Sequence, residues 1–223
     1  MSEPFLEIDA WIFQLEEFRT ESALPPSDAE CAAKIADPRR RQFYERGRAA
    51  LRAAVADRTG KAPEELSFEV APGGKPGVRG CEFSISHSGP WLFIALSDAP
   101  LGADIEVPRP RKNTLQLAER FFSREDFQLL AGMDEAKRED AFLRQWVAKE
   151  AAVKCAGTGL ADHLHKAKCL MKESSVSMVL CEDEKFFIQE FTLANEIPGA
   201  IAWRGAEAAR IRWRNAGQRD LAN

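Results

Sequence analysis

Residues 5–15 (FLEIDAWIFQL) roughly alternate between apolar and polar positions, the period-two signature of an opening strand. Pro25, Pro26 and Ser27 then supply a turn and a helix start. From Asp28 to about Asp57 the pattern is mostly helical, with a break expected at Pro38. Leu51 and Val55 lay an apolar stripe beside Arg39, Arg40, Arg41, Arg46, Arg48 and Arg52. A strand is predicted at 66–70 (LSFEV), followed by the turn-rich APGGKPG. Two more follow at 82–86 (EFSIS) and 91–97 (WLFIALS), joined by a connection from His87 to Pro90. A strand at 101–107 (LGADIEV) runs into PRPRK, a crossover that divides the chain into halves 1–107 and 108–223.

The second half opens with helix signals. Ser123 and Asp126 fit a capping box. Residues 136–156 (AKREDAFLRQWVAKEAAVKCA) form the strongest predicted helix, ended by Gly157 and Gly159. Strands are expected at 176–181, 185–193 and 199–204, while the tail after Arg214 carries little signal. Helix-then-strands recurs in both halves without a sequence repeat, and the fold class read from this order is α+β.

Composition narrows the function classes. The 223 residues are 45% hydrophobic and 30% charged, ordinary for a globular protein. With a net charge of −4, nothing global points to nucleic acid, so any polyanion site must come from local clusters of Arg and Lys. Five cysteines, odd in number and without CxxC spacing, argue against a disulfide framework or a zinc site. The start MSEPFLEIDAWIF carries acids where a signal peptide needs bases, and no apolar run reaches membrane-spanning length. A cytoplasmic protein is expected.

Asp104 and Glu106 flank Ile105, so strand alternation puts both carboxylates on one face, about 7 Å apart. Such a pair is either a solvated strand face or a seat for a hard cation such as Mg²⁺. Lys149, Glu150 and Lys154 sit on the strongest helix. Glu150 and Lys154 are four residues apart, and Trp146 lies one turn earlier. Phe142, Leu143, Trp146, Val147 and Val153 pack much of this helix against protein, so charges at its margin need partners. Lys75 in GGKPG is a turn lysine or a cation beside a closely approached ligand. The loop lacks the spacing of a Walker motif. His87, between Ser86 and Ser88, is a satisfied structural residue or a phosphate donor. His163 and His165 read as loop residues.

In order along the chain, GKP at 74–76, FSISHSG at 83–89, GADIE at 102–106, RFFS at 120–123 and WVAKEAAVKCAGTGL at 146–160 resemble the phosphopantetheinyl transferase superfamily, in its larger surfactin-synthetase-activating type. The resemblance runs from about Arg40 to Leu160. It implies a pseudodimer of two similar α+β halves with coenzyme A in the cleft between them. It also implies transfer of the phosphopantetheine arm of coenzyme A to a serine of an acyl or peptidyl carrier protein. By the same resemblance Asp104, Glu106 and Glu150 bind Mg²⁺ (or Mn²⁺), and Glu150 and Lys154 are catalytic. Lys149 and Lys154 stand near the pyrophosphate, and His87 contacts the 3′-phosphate. Lys75, Pro76, Ser86 and Ser88 line the nucleotide pocket. Arg48 reaches the 3′-phosphate, with Arg41 and Arg46 as rivals. Ser84 departs from the Asn common in the family. The segment 109–127, with Arg109, Arg111, Lys112, Phe121 and Phe122, is either a carrier-docking surface or a linker followed by core aromatics. A monomer is expected, without nucleic acid or membrane partners. Two rival readings are a coenzyme A-dependent acyltransferase and a non-catalytic nucleotide-binding protein.

Overall fold

Pro38 splits the first helical region as expected. Asp37 caps the second piece by accepting from the Arg40 amide at 2.7 Å, and Pro38 takes a first-turn position where its missing N–H has no helical partner to lose. The computed structural model describes residues 5–19, 23–70, 76–157, 164–194 and 196–214. Its elements run β1 (Phe5–Gln14), α1 (Pro26–Ala33), α2 (Pro38–Thr59), β2 (Phe68–Val70), β3 (Pro76–Val78), β4 (Glu82–Ser88), β5 (Trp91–Ser97), β6 (Leu101–Ile105), α3 (Thr114–Phe121), α4 (Arg124–Ala131), α5 (Glu135–Ala156), β7 (Ala167–Lys172), β8 (Ser175–Cys181), β9 (Glu184–Leu193), β10 (Ile197–Trp203) and β11 (Ala208–Arg214). The class is α+β. No helix among the described residues is long and apolar enough to cross a membrane.

Two sheets carry the fold. One has the order β11-β1-β5-β4, the other β6-β10-β9-β8-β7. Alternation along the strands assigns each face. Trp11, Phe13 and Leu15 with Leu92, Ile94 and Leu96 pack on Ala50, Leu51, Ala54 and Val55 of α2. The opposite faces (Ile8, Ala10, Phe93, Ala95) meet Leu101, Ala103 and Ile105 of β6 and Ile201 and Trp203 of β10. Ala200 and Ala202 of β10 turn the other way, onto Val147, Ala148, Ala151 and Ala152 of α5. The layers are therefore helix, sheet, sheet, helix.

Element order repeats. Each 22-residue helix, α2 and α5, ends on a glycine with positive φ (Gly60 at 70°, Gly157 at 74°), where a side chain would be strained. A single 3-10 turn follows each (Pro63–Glu65 and Leu164–Lys166), then four strands that stay near their helix and a fifth that leaves. The leavers are β6, which pairs antiparallel with β10, and β11, which pairs parallel with β1. The expected division at 107/108 is thus crossed twice, because each stretch lends a strand to the other's sheet. Neither β7 nor β11 was anticipated from periodicity. Only Ala167 and Cys169 of β7 are buried, and β11 is mostly exposed, which leaves little apolar alternation to detect.

Candidate functional site

Gly102 decides where α5 can sit. A Cβ on it would lie 1.8 Å from the Ala151 carbonyl oxygen and 2.5 Å from the Cys155 amide. Glycine at this place, facing Ala151 and Ala152, lets the α5 backbone rest directly on β6. That contact brings Glu150 and Lys154 to Asp104, two residues along the strand from Gly102. Lys154 Nζ donates to Asp104 Oδ1 at 2.6 Å and to the Ala103 carbonyl at 3.2 Å, and lies 3.9 Å from Glu150 Oε2.

The outer edge of β6 has no strand partner, and β4 supplies hydroxyls in place of a ladder. Ser84 Oγ accepts from the Ala103 amide at 2.9 Å, Ser86 Oγ from Ile105 at 3.2 Å and Ser88 Oγ from Val107 at 2.9 Å. Three serines at period two satisfy three edge amides that would otherwise be buried without partners. Two of them also donate onward, Ser86 to Asp104 Oδ1 at 2.7 Å and Ser88 to Glu106 Oε2 at 3.0 Å. The second Glu106 oxygen accepts from Arg111 at 2.8 Å.

Asp104, Glu106, Glu150 and Lys154 line one cleft of about 300 Å³ together with Ile85, Ser86, His87, Leu92, Ile105 and Trp146. Burial, followed by the neighbouring Asp104 carboxylate, pushes the Glu150 pKa up to about 7 despite Lys154. Burial also raises Asp104, against the pull of Lys154 and Ser86. At Asp104 and Glu150 burial therefore outweighs the compensating contacts. Among the described residues no group of three His, Cys, Asp or Glu side chains closes around a point as a finished metal cage. The donor set still suits a hard cation. Mg²⁺ takes one or two carboxylates and completes its octahedron with water and phosphate oxygens.

His87 lies within β4 rather than in the connection after it. Its ring meets Phe43 of α2 edge-on at 5.7 Å, and burial lowers its pKa, so it is neutral at pH 7. Arg48 is engaged with the buried Asp28 at 2.8 Å, alongside Arg52 at 2.7 Å, and its guanidinium lies over Phe68. Arg41 bonds to the Ile35 carbonyl and Arg46 to those of Leu15 and Glu16. Among the described residues that line the cleft, none of these three arginines appears. Lys75 lies outside the described residues, as does Gly159. Pro76 opens β3.

Lys149 does not share the cleft with Lys154, as its expected place near the pyrophosphate would require. Its side chain is fully buried, donating to Asp126 Oδ2 at 2.5 Å and to the Ala167 carbonyl, with the Phe122 ring 4.8 Å away. Consecutive residues on a helix diverge by about 100°, so Glu150 can face the cleft only if Lys149 does not. The predicted capping box is half present. Ser123 Oγ accepts from the Asp126 amide at 3.2 Å, but the Asp126 carboxylate is committed to Lys149 and the Cys169 amide. In the 109–127 segment Phe122 is core, stacked on Phe142 at 5.1 Å, and Phe121 packs edge-on against Trp146. Arg109 and Lys112 are exposed, whereas Arg111 turns inward.

The family model of the 4′-phosphopantetheinyl transferase superfamily matches residues 100–204, the span from β6 to β10 that carries the acids and Lys154. A 4′-phosphopantetheinyl transferase of Bacillus pumilus is 33% identical over 151 residues, which cover 66% of this chain and 64% of the relative. Sfp of Bacillus subtilis strain 168 is 35% identical over 99 residues, spanning 43% of each chain. This chain thus spans less than two thirds of those two relatives. Another 4′-phosphopantetheinyl transferase, from Bacillus subtilis, is 32% identical over 189 residues, covering 78% of this chain and 84% of the relative. With likeness of that extent, this chain belongs to the 4′-phosphopantetheinyl transferase superfamily.

Proposed function

We propose that this protein transfers the 4′-phosphopantetheine arm of coenzyme A to a serine of an acyl or peptidyl carrier protein and releases 3′,5′-adenosine bisphosphate. The observation that carries the reading is the convergence of Asp104, Glu106, Glu150 and Lys154 on one cleft in a chain of this superfamily.

Asp104, Glu106 and Glu150 are the residues that would hold Mg²⁺, with Mn²⁺ as a substitute. When bound, the ion would neutralise and polarise the diphosphate of coenzyme A. The protein's own groups do the rest. Lys154, fixed between Asp104 and the Ala103 carbonyl, presents an ammonium where charge develops on the departing bisphosphate. The carrier serine oxygen bonds to the β-phosphorus as the bond from that phosphorus to the adenosine bisphosphate breaks. The serine proton passes to Glu150, the carboxylate that α5 presents to the cleft. Ser86 and Ser88 serve by aiming Asp104 and Glu106 rather than by gripping the nucleotide. His87, at the cleft wall with a neutral ring, can donate one N–H to a phosphate oxygen. The protein would work as a cytoplasmic monomer.

The test is a panel of apo acyl and peptidyl carriers incubated with acetyl-coenzyme A and Mg²⁺, read by intact mass. Gain of the whole acetylated arm is expected. Gain of an acetyl group alone would make the protein an acyltransferase, and no gain on any carrier would overturn the reading.

A further inference from the structure

Arg111 belongs to the crossover between β6 and α3, yet it does not share the solvent exposure of Arg109 and Lys112 on either side. Its Nη2 donates to Glu106 Oε1 at 2.8 Å, and its Nη1 lies 3.8 Å from Glu139 Oε1 on α5. The other Glu106 oxygen is held by Ser88. That Glu139 oxygen is buried and has no hydrogen-bond partner among the described residues. Arg111 therefore stands between two carboxylates, one well bonded and one only approached. Lys154 occupies the corresponding place at Asp104. In this state each strand acid of the cleft is paired with an internal cation.

Resting on the reading above that Asp104, Glu106 and Glu150 hold a divalent cation, we infer that Arg111 is an exchangeable counter-ion. It neutralises Glu106 until the cation arrives, and then turns its guanidinium to a phosphate oxygen of coenzyme A. Charge balance permits the exchange. A divalent cation arriving with a doubly charged diphosphate adds no net charge to the cleft, so Arg111 can change partner without leaving it. The planar fork of a guanidinium matches phosphate as well as carboxylate. The pair is also exposed enough to open, with 17% of the Arg111 and 26% of the Glu106 side chain accessible. Arg111 would thus be a substrate-contacting residue for the proposed transfer, supplied by a segment with no regular structure of its own.

The experiment is calorimetric titration of the full chain, stripped of metal, with Mn²⁺ alone and then with coenzyme A at saturating Mn²⁺. Wild type, Arg111→Gln, Arg111→Lys and Asp104→Asn are compared. Removing the internal competitor should make Arg111→Gln bind Mn²⁺ alone roughly fivefold more tightly, the scale of a partly exposed ion pair. The same variant should bind coenzyme A roughly tenfold more weakly. Arg111→Lys, which keeps the charge and loses the fork, should leave Mn²⁺ affinity near wild type and still weaken coenzyme A. Unchanged or weaker Mn²⁺ binding in Arg111→Gln would overturn the exchange while leaving the metal site standing. If wild type binds no Mn²⁺, or Asp104→Asn binds it equally well, the metal-site reading and the exchange fall together.

Discussion

Two aspartates of this fold are almost equally buried and do opposite things. Asp9 on β1 is 1% exposed and Asp104 on β6 is 5% exposed. Asp9 receives Arg212 and Arg214 at 2.9 Å each, and Arg58 as well. Burial alone would raise its pKa, but bonds from Arg212, Arg214 and Arg58 outweigh it and hold the carboxyl below its ordinary range. Asp104 has one lysine and one serine and faces Glu106 and Glu150, and there burial wins. The first acid is over-supplied with cations from α2 and β11, and it fastens the last strand to the first. The second is under-supplied and opens onto a cleft. A buried carboxylate that its own protein leaves short of positive charge has capacity for a ligand's charge.

The largest effect is expected at a third buried acid, Asp126, whose Oδ2 accepts from both Lys149 and the Cys169 amide. Lys149→Met would strand Asp126, and thermal or denaturant unfolding should show a loss of about 3–5 kcal/mol. Any surviving folded protein should keep its coenzyme A affinity, since Lys149 does not face the cleft. Next, Glu150→Ala should cut carrier modification roughly a hundred-fold or more, read as initial rates by intact mass, with little change in unfolding midpoint. Asp9→Asn should invert that pattern. It should cost about 2 kcal/mol, discounted because Arg212 and Arg214 remain 43% and 41% accessible and can turn to water, and leave the rate unchanged.

A smaller change follows from Ser86→Ala. Losing the donor to Asp104 should weaken Mn²⁺ binding roughly tenfold, as for other groups that orient metal-binding side chains. The smallest effect is in pH dependence. Because the Asp9 pKa is lowered on folding, its contribution is complete above the unfolded value of 3.8 and fades as pH falls through the folded one. The gap in stability between wild type and Asp9→Asn should therefore be constant near neutrality and narrow below about pH 4. A constant gap down to the acid transition would mean that Asp9 is not the staple described.

How much of this was legible beforehand follows from which signals are local. Strand alternation put Asp104 and Glu106 on one face, and the helix at 136–156 was read nearly to its ends, with Gly157 as its stop. Both rest on periods of two or 3.6 residues. The function of Gly102 was out of reach, because it depends on a helix backbone fifty residues away. The alternation of Ser84, Ser86 and Ser88 was visible. It could have marked one face of a strand continuing through His87, had the histidine not been read as the start of a connection. Lys149 misled because the resemblance groups it with Glu150, although adjacent helix positions point apart. Arg111 sits in a Pro-rich crossover without period, so only the folded chain reveals that it turns inward while its neighbours do not. Strand β11 was missed because its outward face is almost wholly charged or exposed, and its partner β1 lies two hundred residues earlier.

The most direct test sets the two aspartates against each other in one assay. Asp104→Ala and Asp9→Asn, each verified as folded by circular dichroism, would be given coenzyme A, Mg²⁺ and an apo carrier that wild type modifies. The account predicts that Asp9→Asn adds the phosphopantetheine arm at the wild-type rate and that Asp104→Ala is slower by roughly a hundred-fold. Equal rates for Asp104→Ala and wild type would contradict it.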